Sequence, residues 1–144
     1  MKKIIILALA LFFSLPAFAE QIGTVDYMKI LDNYSKAKTA KSQIEDRGLE
    51  LQRFILDKEK EYKKIESPIQ KKSYQETIAK EFAKKEQAYL NFRIQKEESI
   101  HKDIENTIKQ VAIDNKLDSV VDKEVMYFGG VDITDKVIKK LNLK

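Results

Sequence analysis

The sequence predicts an α+β fold: a long antiparallel helical hairpin, a coiled-coil-like arm, on a small β body completed by oligomerisation. Three observations carry this. An apolar stripe stepping by three and four residues runs through a charged stretch and breaks at Pro68. Short β-branched and aromatic runs sit only at the two ends of the stretch 20–144. Charged residues make up 35% of the 144, against four Gly and two Pro, a balance that favours long helices.

The N-terminus reads as a leader. Met1-Lys2-Lys3 is basic, Ile4 to Leu15 is apolar apart from Ser14, Pro16 breaks the run, and Ala17-Phe18-Ala19 precedes Glu20. This is the layout of a secretory signal peptide (1–19), cleaved after Ala19. The apolar run is shorter than the roughly 20 residues that span a bilayer. Removal of 19 from 144 residues leaves 125, within the range of one exported domain. There is no cysteine, so thiol catalysis and disulfides are excluded, and packing or assembly must hold the exported chain.

The remainder divides into a β body (20–26 and 116–144) and a hairpin arm (27–115). Ile22-Gly23-Thr24-Val25 reads as a strand. From Ile30 the stripe continues through Tyr34, Ala37, Lys41, Ile44, Gly48, Leu51, Ile55, Lys58, Tyr62 and Ile65, with eight of these eleven apolar. Gly48 is a weak point where a bend is expected. Ser67-Pro68 ends the stripe, because the residue before proline avoids the helical region and proline suits a new helix's first turn. Residues 66–73 read as the tip. A second stripe comes next: Ile78, Phe82, Tyr89, Phe92, Ile100, Ile104, Ile108 and Val111. The two stripes have similar lengths and should pack antiparallel.

Asn115 suits a helix C-cap. Ser119-Val120-Val121-Asp122 and Val125-Met126-Tyr127-Phe128 read as two strands of a hairpin across Lys123-Glu124. Gly129-Gly130 ends the second. Asp132 then caps a last helix, with Asp135 in a capping-box arrangement; Val137, Ile138 and Leu141 form its buried face. The body comes to about 40 residues, too few to hold alone without disulfide, metal or partner subunits. Its strands leave open edges. A homo-oligomer sharing one sheet or barrel is the economical solution.

The patches Ile22-Gly23-Thr24-Val25-Asp26-Tyr27-Met28-Lys29-Ile30-Leu31 and Leu117 to Asp122, then Val125-Met126-Tyr127-Phe128-Gly129-Gly130-Val131-Asp132-Ile133-Thr134-Asp135-Lys136-Val137, resemble the Skp (OmpH-like) family of periplasmic chaperones. The resemblance covers everything after the leader, though the middle matches only as a charged helical hairpin. It implies a trimer with a β-barrel body and three arms around a cavity. It also implies a periplasmic holdase, working without ATP, for unfolded outer-membrane β-barrel proteins. The arms look shorter than in longer members, which bears on the size of client.

A holdase needs a flexible, amphipathic, concave surface. The arm residues expected to meet a client are Tyr62, Ile65, Tyr74, Ile78, Phe82 and Tyr89, with Lys63, Lys64, Lys71 and Lys72 around the tip. Phe82, Tyr89 and Phe92 also suit the hairpin seam. The body residues expected at the oligomer interface are Ile22, Val25, Val120, Val121, Tyr127 and Phe128. From Lys36 to Glu97 there are sixteen basic and eleven acidic residues, a net +5. That charge suits solvated helix faces, steering of acidic clients, or transient contact with an anionic membrane surface. No nucleotide-binding glycine motif occurs and no cofactor is expected. His101 lacks companion ligands at metal spacing. No catalytic residue, and no specific nucleic-acid partner, is expected. Two other readings stay open: a structural coiled coil bridging envelope components, and a binder of polyanions such as lipopolysaccharide.

Overall fold

The computed structural model describes residues 20–143; the expected signal peptide (1–19) lies outside them. The chain is α+β, mostly helical with one small sheet. Its elements are strand β1 (Ile22–Val25), helix α1 (Tyr27–Asn33), helix α2 (Ser35–Lys63), helix α3 (Pro68–Asp114), strand β2 (Ser119–Asp122), strand β3 (Val131–Asp132) and helix α4 (Thr134–Asn142). No helix among the described residues is long and apolar enough to cross a membrane.

The arm departs from expectation in three places. Its first helix is interrupted at Tyr34, whose backbone is extended (φ −86°, ψ 114°). The helix resumes at Ser35 and continues through Gly48, an unbroken course that is compatible with a bend there. The tip is tighter than 66–73: α2 ends at Lys63, and Pro68 is already in the first turn of α3. Gln70 to Ser73 are therefore helical. With 29 residues in α2 and 47 in α3, the two are unequal, because the end of α3 continues past the arm into the body. At about 1.5 Å per residue α3 is roughly 70 Å long.

The interruption is held by tertiary contacts. Asn142 at the end of α4 accepts the Ser35 N–H (2.9 Å) and donates to the Asn33 carbonyl (2.9 Å). It thus replaces helix bonds on both sides of the break. The Tyr34 ring is buried, and its hydroxyl donates to Asp103 on α3 (3.0 Å), which also receives Lys36 (2.6 Å). Burial first, and the Asp103 carboxylate second, push the Tyr34 hydroxyl up to about 12.

The expected strand hairpin does not form. The sheet order is β2-β1-β3, with β1 parallel to both neighbours. Parallel strands need a long crossover, and between β1 and β2 that crossover is the whole arm. The Asp122 carboxylate accepts the Glu124 N–H (2.9 Å) and starts a 3-10 turn at Lys123–Val125. This turns the chain away before Val125 to Phe128 could pair with β2. Tyr127 and Phe128 are left in solvent, and Val131–Asp132 pairs with β1 instead.

Asp132 serves the last helix differently from a capping box. It accepts both the Thr134 N–H (2.9 Å) and the Thr134 hydroxyl (2.6 Å). Asp135 pairs instead with Lys29 on α1 (2.8 Å). The Thr134 hydroxyl also accepts the Asp26 N–H (3.0 Å), and Asp26 caps α1 by accepting the Lys29 N–H (2.7 Å). So Asp132-Ile133-Thr134 stitches the C-terminal helix to the end of β1. The far end of α3 closes with Asn115 as C-cap and Lys116 at positive φ (56°). Leu117 and Lys116 donate to the Ala112 and Ile113 carbonyls, a Schellman closure.

The core gathers Val25, Ile30, Tyr34, Ala37, Ala40, Ile100, Ile104, Val111, Ile133, Val137 and Leu141. Each fully buried Ile or Val contributes roughly 1.5–3 kcal/mol. Every member lies in the body or at the root of the arm.

Candidate functional site: the open seam of the arm

From Lys41 out to the tip and back to Ser99, no residue is buried. The reason is geometric. Two helices cover one side of each other, and among the described residues no third element lies over the remaining sides. The stripes therefore meet in an antiparallel register but stay half-exposed.

That register can be followed outward. Near the root, Arg47 stacks on Phe92 (3.7 Å to the ring centre), with Lys96 also over that ring (5.2 Å). Gly48 then faces Tyr89. Further out Lys58 and Lys85 lie over Phe54 (5.8 and 5.1 Å), one from each helix. Near the tip Tyr74 donates to Glu61 (2.6 Å) and reaches the Lys58 carbonyl (3.3 Å), while Gln75 donates to the Tyr62 hydroxyl (3.2 Å). Lys58 also binds Glu61 (2.8 Å). Lys58 first, then the Tyr74 hydroxyl, lower the Glu61 carboxyl. Burial, then Glu61, raise the Tyr74 hydroxyl. These bonds fix the distal register where packing is thinnest.

Four of the sequence-predicted residues, Tyr62, Tyr74, Ile78 and Phe82, line one apolar cleft of about 360 Å³. Ile65 lines a neighbouring hollow with Tyr74 and Ile78. Tyr89 lies closer to the root, against Gly48. Lys63 pairs with Glu59 (3.1 Å), Lys71 lies over the Tyr62 ring (5.5 Å), and Lys64 and Lys72 are exposed. The cleft also takes in Phe54, Ile55 and Ala79. Phe54 escaped the sequence reading because it sits one residue off the stripe. A second groove, about 890 Å³, opens at the root between α1, α2 and α3. It is floored by Met28, Leu31, Ile44 and Ile100. Small Ala37 on the stripe and Ala40 beside it leave room for it, so the pair of small residues on adjacent turns was the signal that could have found it.

In the body, Val25 is buried in the chain's own core, while Ile22, Val120 and Val121 are partly exposed. Tyr127 and Phe128 are 103% and 92% exposed, adjacent rings with no cover among the described residues. His101, on the helix surface as expected, meets the Tyr27 hydroxyl through Nδ1 (3.0 Å) and Glu105 through Nε2 (3.4 Å).

A half-open helical hairpin on a small parallel sheet, with the first strand and the Asp-Ile-Thr turn tied together, coincides with a family match. The model of OmpH-like outer membrane proteins matches residues 21–141. The chain belongs to the OmpH-like family. No curated relative matches it. In this family member the matched span runs from just before β1 to Leu141, so it takes in body and arm alike.

Proposed function

We propose that this chain is an ATP-independent periplasmic holdase, which binds unfolded outer-membrane β-barrel proteins before insertion and is not an enzyme. The observation that carries the reading is the absence of any buried side chain between residues 41 and 99. Apolar residues on that arm, among them Leu49, Leu56, Ile69 and Ile94, are exposed. Such a surface takes up apolar segments without imposing a fold, and binding the unfolded state keeps it from aggregating. Membership in the OmpH-like family points the same way.

The working form in this reading is a homotrimer, with three arms around a client. The uncovered rings of Tyr127 and Phe128, and the unpaired outer edges of β2 and β3, support assembly through the body. The excess of basic residues on the arm supports capture of acidic clients near an anionic membrane surface.

The test uses residues 20–144, which contain every described element. Urea-unfolded outer-membrane β-barrel protein is diluted into it without ATP, and light scattering is followed against protomer ratio. Suppression saturating near three protomers per client is expected. No suppression at large excess would sink the holdase and favour the structural coiled coil. Capture unchanged between low and high salt would remove the electrostatic part.

A further inference from the structure

We infer that the distal cleft between α2 and α3 is a side-chain receptor: it takes one aromatic side chain from an acidic, extended segment of an unfolded chain. The inference rests on the holdase reading and gives it a site.

The cleft's walls are Phe54 and Tyr62 from α2 and Tyr74, Ile78 and Phe82 from α3. Its volume, about 360 Å³, lies at the small end of the range for ligand pockets. Such a space suits one or two side chains and not a folded element. The walls are flat rings and branched aliphatics, which favour an aromatic guest through ring-to-ring contacts.

The rim decides the charge of the guest. Lys58 is satisfied by Glu61, and Glu59 by Lys63. Lys71 and Lys85 differ: their ammonium groups lie over the Tyr62 and Phe54 rings, and among the described residues neither pairs with a carboxylate. Glu81 borders the neighbouring hollow rather than the cleft. Two lysines without a carboxylate partner thus lie on rings that wall the slot, although they do not line it themselves. An exposed cation on a ring is held weakly, so a carboxylate brought in by the guest segment competes well for it. In an extended segment, successive side chains point to opposite faces. Acidic residues two positions before and after an aromatic one therefore point to the same side as its ring, so that they can turn toward the two lysines while the ring enters the slot.

The experiment measures binding of labelled extended peptides to the purified chain by fluorescence anisotropy. Three peptides are compared: aromatic with acidic flanks, alanine with acidic flanks, and aromatic with basic flanks. The first should bind about tenfold or more tighter than the second, and tighter than the third at low salt. Ala79→Phe, which fills the cleft from its own wall, should abolish the aromatic preference. Should that variant fail to fold, Lys71→Glu with Lys85→Glu, both on the helix surface, should reverse the preference from acidic to basic flanks. Equal binding of the aromatic and alanine peptides overturns the inference. So does a folded Ala79→Phe variant that binds like the parent, or an unchanged flank preference after charge reversal. Light scattering with the whole client is run alongside. Suppression by the parent chain without any peptide preference removes the cleft and leaves the holdase standing. Peptide preference without suppression does the reverse.

Discussion

Gly48 on α2 faces the hydroxyl of Tyr89 on α3: a Cβ built on the glycine would lie 3.6 Å from that oxygen. This is ordinary contact, so the site has room for one methyl group. Helix interiors lose roughly 0.5–1 kcal/mol to glycine relative to alanine. Gly48→Ala should therefore stabilise the chain by about that amount, raising the urea midpoint with the slope unchanged. A lowered midpoint would mean that the arm needs the glycine for motion or for a closer approach than the structure shows.

Gly129 and Gly130 make a paired test of backbone against packing. Both have positive φ, +89° and +79°. At Gly129 an added Cβ meets nothing within 4 Å, whereas at Gly130 it would lie 2.6 Å from the Thr24 Cγ2 on β1. Gly129→Ala should cost only backbone strain, about 1 kcal/mol. Gly130→Ala should cost about 1–3 kcal/mol more, because β3 must shift away from β1. Equal losses in chemical denaturation would show that the β1–β3 pairing contributes little.

Asp132 should give the acid limb of stability part of its shape. The Lys123 ammonium (2.5 Å) and the Thr134 hydroxyl hold its carboxyl at about 2, against an ordinary 3.8. The folded value is the lower one, so the stabilisation is present while the carboxylate is charged. It is complete above about pH 4 and is lost as pH falls from there through about 2. The side chain is half-exposed, which keeps the effect small. Asp132→Asn should be less stable at neutral pH and lose less between pH 4 and 2. Identical acid curves for the two proteins would rule the contribution out.

Asn142→Ala should act at the root of the arm. It leaves the Ser35 N–H and the Asn33 carbonyl to water, at a cost of about 0.5–1.5 kcal/mol for each bond lost. The Ser35 amide should then exchange with solvent faster, while amides in the middle of α3 keep their rates. Unchanged exchange at Ser35 would show that Asn142 does not hold the break closed.

Long-period features were legible in the sequence. Pro68 falls in the first turn of α3, Asn115 caps its end, and the stripes from Ile44 to Tyr62 and from Ile78 to Phe92 run along the seam. What escaped was decided between distant parts of the chain. Tyr34 breaks no helix by itself; Asn142 on the last helix and Asp103 on α3 hold the break in place. Val125 to Phe128 has strand propensity, but Asp122 diverts the chain and β1 is already flanked by β2 and Val131. Propensity describes a residue's local preference, and here the order of the sheet was set by the crossover. The geometry of the candidate cleft was legible in part: Tyr62, Tyr74, Ile78 and Phe82 share it, whereas Phe54 enters it from outside the heptad positions.

The buried core reaches Ala40 on one helix and Ile100 on the other and goes no further. The intervening hairpin adds no residue to the buried core. Matched insertion or removal of a heptad in both helices would change the reach of the arm by about 10 Å and leave every core contact in place. The length of the hairpin is thus uncoupled from the buried body that carries it.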